Sequence, residues 1–143
     1  MAGDWAILRL DDCLGERFGY LRHARTTARA APMPDGPLMT IGYPASRAGM
    51  AGITIETGCR ARDHGPVDGL VGVDCAFESG MSGGPVLQLQ PDGAWIVVGM
   101  IQQSMAPVPG VLPVYTMDHR NQIIAVGAFR RAIDTALRAD AQR

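Results

Sequence analysis

The chain has 143 residues and a formal net charge of −1 at neutral pH, from 14 acidic and 13 basic side chains. A charge so close to zero gives no broad electrostatic case for nucleic-acid binding. No apolar run reaches the ~18 residues of a membrane-spanning helix, and Asp4 and Arg9 interrupt the early apolar run, so neither a membrane span nor a signal peptide is expected.

The first predicted element is a strand near the N-terminus. Asp4 precedes the mostly apolar run Trp5-Ala6-Ile7-Leu8-Arg9-Leu10, a pattern that also fits an ordinary surface strand opened by an incidental acid. Residues 13–37 indicate a connector rich in Arg, Ala and Pro. A turn follows at Ile41-Gly42-Tyr43-Pro44, and residues 60–74 indicate a hairpin with its tip near 63–66. Eighteen glycines and ten prolines are typical of an all-β fold with many tight turns.

The most informative stretch is Glu78-Ser79-Gly80-Met81-Ser82-Gly83-Gly84-Pro85. Gly80 allows the backbone to turn so that its own N–H and that of Ser82 point at one spot. Two such donors can stabilise the oxyanion of a tetrahedral intermediate, and losing one costs about 2.7–4 kcal/mol of barrier. The alternative is a Gly-rich hairpin turn with no chemical role, because Ser and Gly are common turn residues.

Three further elements are predicted after this motif. Trp95-Ile96-Val97-Val98-Gly99-Met100-Ile101 and Gln122-Ile123-Ile124-Ala125-Val126 have the composition of strands. Residues 129–138 predict a helix with Phe129, Ile133, Ala136 and Leu137 on one face.

The Ser82 motif, the Asp4 segment, the Gly-Tyr-Pro turn and the Trp95 strand together resemble the bacterial trypsin-like serine proteases, nearest the glutamyl-endopeptidase-like group. The resemblance extends over nearly the whole chain. It implies an all-β, chymotrypsin-like double β-barrel, represented here by the C-terminal barrel, the end of the first barrel and a C-terminal α-helix. Residues 1–12 would then hold the last strand of an incomplete N-terminal barrel, 13–37 the inter-barrel connector, and 38–143 the C-terminal barrel with its helix.

The same resemblance assigns roles to the site residues. Ser82 would be the nucleophile, the amides of Gly80 and Ser82 the oxyanion hole, and Asp4 the acid that orients a histidine base. The specificity pocket would involve Ala76, Phe77, Ile101, Gln102, Gln103 and Ser104. Ala76 supplies no carboxylate for a basic substrate residue, and Ile101 stands where glutamyl-specific members have histidine, so an apolar or restricted pocket is expected.

The cysteines have a counterpart in these relatives, where a similar pair just before the nucleophile is disulfide-bonded. Cys59 and Cys75 would accordingly form a disulfide in an oxidising compartment, so the protein is expected to be periplasmic or secreted. Two reduced core cysteines are the alternative, and zinc binding is not indicated because the chain has no second pair. Cys13 has no assigned partner.

The histidine base of the family has no counterpart in this sequence. His23, His64 and His119 all follow Asp4, and none has the expected sequence context, so the chain is expected to be an N-terminally truncated form. Without a base the serine hydroxyl is a weak nucleophile. Two functions therefore remain: a serine endopeptidase acting on peptides or proteins through an acyl-enzyme on Ser82, or an inactive protease remnant that binds peptides or proteins. No cofactor, metal, nucleic acid or membrane is expected to take part, and no oligomeric state is assigned.

Overall fold

Eight strands and two helices follow the chain in the computed structural model, which describes residues 3–25, 34–47, 52–65, 67–103, 115–116, 118 and 120–142. The strands are β1 (Arg22–His23), β2 (Leu38–Gly42), β3 (Thr54–Cys59), β4 (Ala61–His64), β5 (Leu70–Val73), β6 (Pro85–Leu89), β7 (Trp95–Gln103) and β8 (Asn121–Ala125). The helices are α1 (Leu14–Phe18) and α2 (Arg130–Asp140). The prediction of a mostly β chain with a C-terminal helix is confirmed.

The strands form one curled, half-barrel sheet. Its order is β3-β2-β6-β7-β8-β5-β4, with every neighbouring pair antiparallel. The short β1 lies off this path and pairs in parallel with β7, where Arg22 faces Ile96 and His23 faces Val97. Because β8 lies between β7 and β5, the last strand of the chain joins the two parts of the sheet.

Strand β8 is buried on both faces, which explains its nearly continuous apolar run. Ile123 and Ala125 belong to the main core, whereas Ile124 packs on the opposite side in a smaller cluster with Val126 and Phe129. The beginning of α2 packs against the sheet through this smaller cluster. The alternation follows from the period of two along a strand.

The N-terminal segment differs from its prediction. Residues 4–10 form no strand, and Trp5 instead packs against Phe129 with ring centroids 6.1 Å apart. A strand needs a neighbouring edge for its backbone N–H and C=O groups, and residues 4–10 pair with none of the described strands. Leu8 and Leu10 are 82% and 58% exposed. The stretch predicted as a connector contains α1 and β1.

The C-terminal helix occupies the region predicted for it, with a boundary shift of one or two residues. Phe129 is buried and Ile133 packs partly against the smaller cluster, but Leu137 is exposed, so the predicted apolar face is covered only over its first half. Among the described residues, no helix has the length and apolar character needed to cross a bilayer.

A disulfide joins Cys59, the last residue of β3, to Cys75, two residues after β5, with their Cα atoms 4.9 Å apart. Only Arg60 separates β3 from β4, so the chain also passes directly from one end of the sheet to the other. Both sulfur atoms are buried in the main core. The bond is compatible with an extracellular location, and Cys13 is free and exposed.

Candidate functional site

The Ser82 turn is tied to strand β7 by backbone hydrogen bonds. Gly83 N–H donates to the Ile101 carbonyl at 2.8 Å, and Ile101 N–H donates back to Gly84 at 2.9 Å. Within the turn, Met81 N–H bonds the Glu78 carbonyl, and Gly84 N–H bonds the Met81 carbonyl. The position of Ser82 is thus fixed by the sheet.

Gly80 is required by both conformation and space. Its φ of +93° lies in the left-handed region that side chains rarely adopt. A Cβ built on it would lie 2.9 Å from both the Ala45 nitrogen and the Tyr43 oxygen. Because these are backbone atoms, they have little freedom to move aside. The glycine expected from the motif is therefore needed where it stands.

Two amides of the turn are left without an acceptor. Ala45 N–H donates to the Ser79 carbonyl at 2.7 Å, so in this trans peptide the Gly80 N–H points away from Ala45. The Met81 carbonyl is likewise held by Gly84, which directs the Ser82 N–H away from that contact. Within the described part of the chain, neither the Gly80 nor the Ser82 N–H donates a hydrogen bond. These are the two donors that the sequence assigns to an oxyanion hole.

A buried methionine holds the turn from beneath. Met81 is 2% exposed, and its side chain packs against Gly42 so closely that a Cβ there would lie 2.9 Å from Met81 Cβ and Cγ. Its sulfur also accepts the Glu78 N–H at 3.5 Å. The residue before Ser82 is therefore anchored in the core while Ser82 itself faces solvent.

The Ser82 hydroxyl has no general base among the described residues. It is exposed, and Oγ donates to the Gln102 carbonyl at 3.4 Å, which is a long hydrogen bond. His23 lies on β1 with Nδ1 3.2 Å from the Ala24 carbonyl, and His64 is exposed on β4. His119 lies outside the described residues. Asp4 is exposed and forms no hydrogen bond or ion pair with the described part of the chain.

The predicted pocket residues divide into two groups. Phe77 and Ile101 are each 1% exposed and belong to the main core, so they support the site from behind. Ala76 and Gln102 are half-buried, and Gln102 Oε1 is buried without a hydrogen-bond partner. The Gln103 side chain and the whole of Ser104 are outside the described part of the structure.

Glu56 was not predicted as a site residue, yet its carboxylate lies against this region. Its Oε2 accepts the Ala76 N–H at 2.6 Å, and it stands directly across from Thr40 in the β2–β3 pair. The pKa of Glu56 is raised above its ordinary value, mainly by burial and to a smaller extent by the nearby negative charge of Asp74. The hydrogen bond from the Ala76 amide and the facing Thr40 hydroxyl both oppose this rise. Alternation along β3 could have placed Glu56 and Thr54 on one face, but only the register shows that this face is the inner one.

Cys59, Asp74 and Cys75 lie close enough together to suggest a metal site. The two sulfurs are consumed by the disulfide. Asp74 accepts the Arg60 N–H and the Arg62 guanidinium, so both of its oxygens are already paired. This cluster is structural.

No protein-family model matches the sequence, and no curated protein matches it significantly.

Proposed function

We propose that this chain carries the nucleophile and oxyanion hole of a serine endopeptidase of the trypsin-like type. Ser82 attacks the carbonyl carbon of a peptide bond, and the Gly80 and Ser82 amides hold the resulting oxyanion. The substrate is a peptide or protein, and the fold is the C-terminal part of a chymotrypsin-like double barrel. The proposal includes a periplasmic or secreted location, which the Cys59–Cys75 disulfide supports.

The observation that carries the proposal is the pair of unpartnered amides in the Ser82 turn. Within the described turn the N–H groups of Met81, Gly83 and Gly84 donate hydrogen bonds, whereas those of Ser79, Gly80 and Ser82 do not, so both donors that the chemistry needs are open. Donors that are fixed before the reaction cost no reorganisation when charge develops on the substrate oxygen.

The general base comes from outside the described residues. The hydroxyl proton of Ser82 must pass to it during attack, because a neutral serine hydroxyl is a weak nucleophile. Asp4 is proposed to orient this base, and it forms no competing ion pair with the described part of the chain.

A second candidate function is an inactive remnant that binds peptides or proteins. It is favoured by the hydrogen bond from Ser82 Oγ to the Gln102 carbonyl, which occupies the hydroxyl proton with a group that cannot remove it. In this case the free amides would hold a peptide carbonyl without cleaving the chain.

Labelling with a fluorophosphonate probe, read by intact mass, separates the two functions. The endopeptidase predicts one adduct on the wild-type chain, none on Ser82→Ala, and normal labelling of Ser79→Ala, a neighbouring exposed serine. Absence of labelling in a folded sample would exclude an activated Ser82 and leave the binding function. Equal labelling of wild type and Ser82→Ala would show a different nucleophile and contradict the site assignment.

A further inference from the structure

One peptide unit before the Ser82 turn is held by side chains from two strands. The Asn121 side-chain amide donates to the Cys75 carbonyl at 2.6 Å, and the Glu56 carboxylate accepts the Ala76 N–H at 2.6 Å. In a trans peptide the carbonyl and the N–H point in opposite directions, so the two bonds act on opposite sides of the unit. The orientation of the Cys75–Ala76 peptide is therefore set by β8 on one side and by β3 on the other.

The disulfide adds a covalent tether to the same unit. Cys75 is bonded to Cys59, which lies three residues after Glu56 on β3. Asn121 is the first residue of β8 and is buried. Residues 74–78 have no regular secondary structure, so these side-chain contacts take the place of the backbone hydrogen bonds that would hold a strand.

The two arms of the Ser82 turn are held in different ways. The downstream arm, Gly83 and Gly84, exchanges backbone hydrogen bonds with β7. In the upstream arm, residues 76–78, no backbone-to-backbone hydrogen bond reaches a described strand. Phe77 anchors this arm by packing in the main core, but a buried side chain does not fix the planes of the peptides next to it. The upstream arm therefore depends on the side chains that hold its first residue.

The relative orientation of the two oxyanion donors depends on both arms. The Gly80 N–H follows the upstream arm, and the Ser82 N–H immediately precedes the downstream arm. Between Ala76 and Gly80, the bond from Ala45 N–H to the Ser79 carbonyl holds only the end of the upstream arm. Both donors must lie about 2.7–3.1 Å from one oxygen position, and a misplacement of about 1 Å can cost on the order of 10²-fold in rate.

We propose that Glu56 and Asn121 are positioning residues of the Ser82 site, which fix the upstream arm so that the Gly80 N–H points at the same position as the Ser82 N–H. The proposal rests on the proposed oxyanion hole, but it does not require that Ser82 be reactive. Neither side chain needs to touch the substrate. A carboxylate in a half-buried place is costly unless it is hydrogen-bonded, and an apolar residue would fill the same space at lower cost. The polar groups at these positions are explained by the peptide that they hold.

The first test records the amide NMR resonances of the full chain and needs no activity. Glu56→Met has a similar length but no carboxylate, and Asn121→Leu lacks the side-chain N–H. In each folded variant we expect the Gly80 resonance to move, whereas those of Gly83 and Gly84 stay in place because β7 holds them. Glu56→Gln keeps an acceptor for the same backbone amide and is expected to restore the Gly80 resonance.

The second test measures labelling by the fluorophosphonate probe over a range of probe concentrations. Glu56→Met and Asn121→Leu are expected to lower the limiting rate at least about tenfold and to leave the half-saturating concentration unchanged, because the oxyanion develops only during the reaction. Phe129→Leu is the matched control, since it removes packing from the smaller cluster and leaves the upstream arm untouched. It is expected to lower stability but to keep both the labelling rate and the Gly80 resonance of wild type.

The possible outcomes separate this proposal from the proposed function. A wild-type Gly80 resonance and a wild-type labelling rate in folded Glu56→Met and Asn121→Leu would overturn the positioning role and leave the endopeptidase standing. A Gly80 resonance that moves equally in Phe129→Leu would show a general loss of packing and would also overturn it. A Gly80 resonance that moves in Glu56→Met and returns in Glu56→Gln, in a chain that is never labelled, would support the positioning role and exclude catalysis. If only one of the two variants folds, its Gly80 resonance decides.

Discussion

Removing the Cys59–Cys75 disulfide is expected to cost a large part of the stability of the fold. The two cysteines are 16 residues apart in sequence, and the chain-entropy relation for such a loop gives roughly −10 cal/mol/K, or about 3 kcal/mol at 25 °C. Typical domains are stable by only about 5–15 kcal/mol. The expected loss is therefore a change that ordinary equilibrium unfolding measures with ease.

Alanine is the suitable replacement at both positions, because Cys75 is fully buried and serine would place a hydroxyl in the main core. Urea unfolding of Cys59→Ala/Cys75→Ala is followed by tryptophan fluorescence and circular dichroism, with wild type measured in the presence and absence of a reducing agent. Trp5 lies against Phe129 and Trp95 lies in β7, so the two tryptophans report on different parts of the fold. Reduced wild type is expected to approach the double variant.

Cys13→Ala is the matched control, since Cys13 is exposed and free. It is expected to unfold at the wild-type urea concentration. A double variant that unfolds within about 0.5 kcal/mol of wild type, the scale of ordinary surface changes, would refute the reasoning. That outcome would mean either that the bond does not form or that the unfolded chain already holds the two strands together.

Two substitutions and the titration of two partly buried groups give further expectations. Gly80→Ala is expected to lower the free energy of unfolding in urea by about 1–3 kcal/mol, because the φ of Gly80 is positive and backbone atoms crowd the added Cβ. The same variant is expected to abolish fluorophosphonate labelling. A stable, fully labelled Gly80→Ala would contradict this. The facing Thr40 hydroxyl opposes the rise in the Glu56 pKa, so Thr40→Val, which keeps the shape, is expected to raise that pKa further; an unchanged Glu56 titration by NMR would show that the hydroxyl does not act on the carboxylate. Burial and the bond to Asp63 raise the pKa of Tyr115 to about 12. The stabilising effect of the protonated Tyr115 should therefore be complete below the ordinary tyrosine pKa and should disappear as pH rises towards 12. The difference in phenolate absorbance between wild type and Tyr115→Phe should show this late titration, and a midpoint near the ordinary tyrosine pKa would exclude the bond. The pKa of Glu56 is raised mainly by burial, so the folded state keeps the Glu56 proton to a higher pH than the unfolded state does. The free energy of unfolding of wild type should therefore fall relative to that of Glu56→Gln as pH rises from the ordinary glutamate pKa through the raised one. A difference in unfolding free energy that does not change with pH would contradict this.

The second half of the fold follows closely from local sequence. Strands β7 and β8 and helix α2 were indicated by apolar runs and periodicity, because each buries side chains in a pattern that its own residues set. The glycine positions in the Ser82 turn were also predictable. The positive φ at Gly80 agrees with the glycine in that short motif, whereas the orientation of its N–H also depends on the bond from Ala45 to the Ser79 carbonyl.

Features that depend on distant partners could not be predicted in the same way. The Trp5 segment has the composition of a strand, but strand formation depends on an adjacent edge, and here the tryptophan ring packs on Phe129 instead. Glu56 looks like one polar residue in an alternating strand. Its approach to Ala76 depends on the register with β2 and on the curl of the sheet, and neither is encoded in residues 54–59 alone.

The place of β8 in the sheet has a consequence for synthesis on the ribosome. Among the described strands, β4 and β5 pair with the rest of the sheet through β8, which is made about fifty residues after β5. At common synthesis rates of ~5–20 residues per second, the apolar β5 remains without its partner β8 for several seconds while the nascent chain lengthens. The Cys59–Cys75 bond needs only the first 75 residues, so oxidation can join the end of β3 to the segment after β5 before β8 emerges. An oxidising environment would then guide the order of assembly as well as stabilise the finished protein.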